Sequence, residues 1–198
     1  MLTQEDRVKL LGFRVRHDIN QLHFSKGIIS RNQLSNIENG KSSTTEKVLF
    51  QLYLRFCEYM IALNDYNRFH IQSMSQYQPY KDLQEILDLY DMVCEKDLSH
   101  EAMNNVNLRL NRENFGLINT FVLEQLGDRL LQKGDKENAF TFYIKAYYKM
   151  TSAHVDEINF KYLAGFLEKV ATLGLELNKT FNVSEIQDHM KHLQRKLA

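Results

Sequence analysis

The chain has 198 residues, 43% apolar and 25% charged, with one proline, eight glycines and a formal net charge of zero. That length holds one or two domains with a sizeable core, and the scarcity of breakers favours long helices over a turn-rich β protein. No apolar run reaches the roughly 20 residues of a membrane span, and the first residues lack the basic and apolar regions of a signal peptide, so an all-α cytoplasmic protein is expected.

The neutral total conceals an asymmetry. Residues 1–50 carry eight Lys/Arg against five Asp/Glu, and the remainder is acidic by the same margin. Thr3 is placed to cap a first helix reaching about His17, with Leu10, Phe13 and Val15 facing inward. A short second helix starts near Gln21, with Phe24 and Ile28 as core residues and Gly27 near its turn. A third begins at Ser30. Its Leu34 and Ile37 share an apolar face, and Asn39-Gly40 ends it, since both residues tolerate the left-handed conformation. The other face presents Arg31, Asn32, Gln33 and Asn36, side chains suited equally to solvent and to the edges of DNA bases. Ser42 to Thr45 supply the cap of a fourth helix with Val48, Leu49, Leu52 and Phe56. A fifth helix is expected from about Glu58 to beyond Asn67, with Met60, Ile61 and Leu63.

Around MSQYQP (residues 74–79) periodicity is lost, and a boundary is expected there between domains 1–72 and 80–198. The rest is helical. Leu83, Ile86, Leu87, Tyr90 and Val93 form one stripe, and residues 98–110 a weaker, Asn-rich one. Residues 120–153 carry Leu123, Leu126-Gly127, Leu130, Gly134-Asp135, Ala139, Tyr143 and Ala146. A helical hairpin is expected over Ile158 to Leu177, and a final helix over Val183 to Leu197, capped at Ser184. Cys57 and Cys94 read as reduced core thiols.

Residues 10–54 resemble the helix-turn-helix domain of the XRE class, the Cro and phage-repressor superfamily. Leu10, Phe13 and Arg14 match its first-helix pattern, and Ile19-Asn20-Gln21 the opening of its second helix. Leu34-Ser35-Asn36-Ile37-Glu38-Asn39-Gly40 matches the end of its third residue for residue. Departures are His23 at a usually acidic position, an apolar Leu22, and Ser42 to Thr45 where a proline is usual. The resemblance implies double-stranded DNA as partner, with base contacts from Arg31, Asn32, Gln33 and Asn36, Arg with guanine and Asn or Gln with adenine. It further implies phosphate contacts from Gln21, Lys41, Ser42, Ser43 and Lys47. It makes Arg14 and Glu38 an internal ion pair between first and third helices.

Residues 120–153 resemble a tetratricopeptide repeat, with Leu123 at the usual Trp and no late Pro. One repeat cannot bury its own apolar face, so degenerate neighbours are expected to stack on it. The combination is similar to the peptide-sensing Rgg and PlcR regulators, although this chain is much shorter. It implies a homodimer and a peptide or protein ligand, with Asn104, Asn107, Arg109 and Asn111 as groove residues. A ligand-independent repressor, or a protein-binding adaptor that has lost DNA binding, remains open beside it. No enzyme is expected: there is no Gly-rich phosphate loop, no H-E-x-x-H and no zinc-spaced Cys pair. His189 and His192 share a helix face without a third ligand, so neither metal nor cofactor is expected.

Overall fold

The computed structural model describes residues 2–95 and 97–197. Among them are ten α-helices and no strand: α1 (Gln4–Arg16), α2 (Gln21–Ser25), α3 (Arg31–Glu38), α4 (Glu46–Ala62), α5 (Gln78–Glu95), α6 (His100–Arg112), α7 (Leu117–Gln132), α8 (Lys136–Thr151), α9 (Glu157–Glu176) and α10 (Thr180–Leu197). One 3₁₀ turn, Gln72–Met74, precedes α5. The protein is therefore all-α, and no helix among the described residues is long and apolar enough to cross a membrane. It divides into two compact units: Met1–Met60 with Tyr66–Leu83, and Ile61–Asp65 with Gln84–Ala198.

Helix ends follow local chemistry. Thr3 accepts from the backbone N–H of Asp6 while Asp6 accepts from that of Thr3, closing a capping box at α1. α3 and α9 start with the same reciprocal pair, from Ser30 with Gln33 and from Asp156 with Asn159. Four helices share one form of C-terminal stop on a left-handed residue: Asp18 after α1, Gly40 after α3, Gly134 after α7 and Asn178 after α9. In each case the following N–H reaches back five residues, as in Lys41 to the Asn36 carbonyl at 2.8 Å, which satisfies carbonyls the helix leaves open.

The first unit is centred on α4. Leu49, Leu52, Tyr53, Phe56, Cys57, Tyr59 and Met60 are buried along it. Phe56 meets Phe13 edge-on at 4.8 Å, and Tyr53 packs on Phe69 and Tyr80. Polar ends inside this cluster are satisfied: Tyr53 donates to the Phe69 carbonyl at 2.5 Å, and Tyr80 accepts from the Ile71 N–H at 2.6 Å. Cys57 is a free, buried thiol, and burial pushes it well above the ordinary range.

Several expectations are corrected here. The fifth helix over 58–67 does not form. No capping signal interrupts α4, so Met60 and Ile61 continue its apolar face, and the chain stops at left-handed Asn64 (φ 53°). Within MSQYQP Met74 is fully buried, Gln76 and Gln78 are exposed, and Pro79 lies in the first turn of α5, where its missing N–H costs nothing. Val15 points outward, 64% exposed, because Leu10, Phe13 and Arg14 already fill the inward face.

In the second unit α7 pairs with α8, α9 pairs with α10, and α8 also packs on α9. A Cβ on Gly127 would collide with the Tyr143 ring and sit 3.2 Å from the Ala139 carbonyl, so the α7–α8 approach depends on that glycine. Residues 157–176 form one helix, not a hairpin, because Leu163, Phe166, Leu167, Val170 and Leu173 keep one buried stripe across the lone Gly165, which a helix tolerates. The hairpin is α9 with α10, and α10 begins at Thr180, which leaves Ser184 inside it. Across α7 and α9, Lys169 donates to Glu124 at 2.7 Å and to both Asp128 oxygens, while Tyr162 donates to Glu124 at 2.5 Å. Burial alone would lower the Lys169 ammonium, but the two carboxylates outweigh it and hold it above its ordinary value.

Candidate nucleic-acid interface

α2 and α3 are joined by a turn through Gly27 (φ +77°), and each has its first turn closed by a side chain, Asn20 for α2 and Ser30 for α3. Leu34 and Ile37 anchor the inner face of α3. Two arginines fix the pair from behind. Arg14 on α1 donates through Nε and Nη2 to the two Glu38 oxygens at 2.8 and 3.0 Å, and through Nη1 to the Ile19 carbonyl at 2.7 Å. The two side chains are only 10% and 7% exposed, so this is a buried bidentate pair. Arg55 on α4 donates to the Phe24 and Lys26 carbonyls at 3.0 and 2.6 Å, closing the C-terminal end of α2.

Arg31, Asn32, Gln33 and Asn36 are all exposed. Three of them, all but Asn32, line one of two clefts. Arg31 lines one of about 560 Å³ with Asn20, Gln21 and Leu22, and Gln33 and Asn36 line another of about 530 Å³ with Ser42, Ser43, Thr44 and Thr45. Lys41 and Lys47 are exposed, Lys41 next to left-handed Gly40 and Lys47 in the first turn of α4. Gln21 is committed in part: its Nε2 donates to Glu38 at 2.6 Å, joining α2 to the Arg14–Glu38 pair and leaving one amide hydrogen for another partner. Gln33 is committed through its oxygen to the cap of α3.

The sequence reading missed Arg55, Arg7 and the braced state of Gln21. Arg7 lies against Gly40 and donates to the Leu2 carbonyl at 3.0 Å. A basic residue on a helix gives no sign of which distant carbonyl it will meet, so no signal in the sequence marks these roles.

The expected groove residues do not converge. Asn104, Asn107 and Asn111 share one face of α6, where Lys145 donates to Asn107 at 3.4 Å. Arg109 turns to another face, pairs with Glu85, and lines an apolar cleft of about 460 Å³ with Leu89, Met92, Ala102 and Val106. Among the described residues no group of three or more His, Cys, Asp or Glu could hold a metal ion. What the fold defines is an all-helical protein whose first unit exposes the polar face of α3. No protein-family model matches the chain, and no curated protein or solved structure is significantly similar to it.

Proposed function

We propose that this chain is a sequence-specific DNA-binding transcriptional regulator that acts as a dimer, with its second unit sensing a peptide or protein partner. The observation that carries the reading is the α2–α3 pair: a capped, exposed helix whose orientation is fixed by the buried Arg14–Glu38 pair and whose outward face is Arg31, Asn32, Gln33 and Asn36. An α-helix of this kind fits the major groove, and its first turns reach base edges. Ser42 and Ser43 line the cleft of Gln33 and Asn36, Lys41 and Lys47 are exposed, and all four suit phosphate oxygens. One short helix reads only a few base pairs, so a two-fold dimer is the natural way to lengthen the site. The apolar cleft between α5 and α6 is the place for a hydrophobic peptide.

A mobility-shift assay on DNA from upstream of the gene tests the first part. Specific retardation that weakens steeply with added salt is expected. Arg31→Ala should relax sequence preference, whereas Lys47→Ala should weaken binding to all sequences alike. Loss of neither would place the DNA elsewhere on the molecule. A thermal-shift screen with short hydrophobic peptides tests the second part, and no stabilisation would leave the second unit as a dimerisation module alone.

A further inference from the structure

We propose that Gln33 reads a guanine, because the helix that carries it fixes the polarity of its amide. The inference rests on the DNA-binding reading above and specifies one of its contacts. At the start of α3 the Gln33 Oε1 accepts from the Ser30 backbone N–H at 2.9 Å and from the Ser30 hydroxyl at 3.0 Å. The Ser30 Oγ in turn accepts from the Gln33 N–H at 3.2 Å. A backbone N–H can only donate, so the amide atom facing it is the oxygen. Turning the amide over would set NH₂ against N–H and break the cap. The half of the side chain directed away from Ser30 is therefore the NH₂, with two hydrogens and no lone pair. Gln33 is exposed, on the side of α3 that Asn36 also occupies.

That polarity selects among base edges. A glutamine with both amide atoms available suits adenine, whose N6 amino group and N7 need an acceptor and a donor together. Held by its oxygen, Gln33 has only donors left, and it would meet the adenine amino group with another amino group. Guanine offers N7 and O6 side by side, two acceptors for two hydrogens. Thymine offers one acceptor, and cytosine offers a donor. The general Gln–adenine pairing expected from sequence is thereby replaced, at this residue, by a preference built into the free protein.

The test selects bound duplexes from a randomised pool with wild type, Gln33→Glu and Gln33→Ala. Glutamate at this position keeps the acceptor that Ser30 needs, so the cap and the thermal midpoint are retained, but it directs an oxygen outward. Wild type is expected to show guanine over adenine by about tenfold or more at one base pair of each half-site. Gln33→Glu should lose that preference with the other positions unchanged. Selection of adenine at the Gln33-dependent base pair would overturn the inference. So would an unchanged selection by Gln33→Glu, including the case in which only Gln33→Ala loses binding, since Gln33 would then serve the cap alone. A wild type without any sequence preference would remove the DNA-binding reading and this inference together.

Discussion

Arg14 joins three pieces of backbone with one side chain. Of the five N–H donors of its guanidinium, two go to Glu38 on α3 and one to the Ile19 carbonyl, immediately before the cap of α2. Both partners are nearly excluded from water, so deleting one strands the other's charge. Arg14→Ala should lower the unfolding free energy by about 3–5 kcal/mol in urea denaturation. Arg14→Lys keeps the charge but replaces a planar fork with a point charge, and it should also destabilise, by less than the alanine. A cost for Arg14→Ala no larger than that of an exposed ion pair, roughly 1 kcal/mol or less, would mean that the pair does not hold the two helices.

At the scale of elements, two helical glycines have opposite roles. Gly127 lies where α7 meets the Tyr143 ring, whereas Gly165 is exposed on α9 with nothing within 4 Å of an added Cβ. Gly127→Ala should destabilise by about 1–3 kcal/mol or more through overpacking. Gly165→Ala should stabilise by about 0.5–1 kcal/mol, because alanine has less backbone freedom to lose on folding. Paired thermal melts check both, and equal shifts would contradict the close α7–α8 approach. Helix starts at Thr3 and Ser30 and the stop at Gly40 were legible because a cap is a bond between near neighbours in sequence. The fifth helix and the 158–177 hairpin were misread for the converse reason. Apolar spacing alone does not say where one helix yields to the next, and α4 and α9 run on because nothing local stops them. At the candidate interface the exposed face of α3 could be read from its 3.6-residue period, but the duties of Arg55 and Gln21 could not. Their partners lie 31 and 17 residues away and are brought near only by packing.

For the whole molecule, acid is a useful probe. His189 lies half-buried on α10, its ring edge-on to Tyr147 at 5.7 Å and its Nδ1 buried without a hydrogen-bond partner. Burial, and then the neighbouring His192, lower its affinity for a proton below the ordinary value of 6.5, although Glu185 pulls the other way. The folded state thus binds a proton less readily than the unfolded state. The stability this site contributes is present above pH 6.5 and is lost as pH falls through the lowered folded value. His189→Gln should flatten the acid side of a plot of melting temperature against pH, and an unchanged slope would assign the acid sensitivity to other groups. The same plot for Lys169 variants would report at the alkaline end, where the raised ammonium loses its proton.

The way Arg14 is anchored has a consequence for genetics. If α3 reads DNA, a screen for lost operator binding would return substitutions at Arg14 and Glu38 beside those at Arg31 and Asn36, although the first two are hidden from any ligand. The two groups would separate by temperature. Variants of the buried pair should regain binding on cooling, as the population with a correctly aimed α3 recovers, whereas variants of the exposed face should stay defective at every temperature. A temperature-sensitive regulator would thus be obtained by weakening an ion pair that no DNA ever meets.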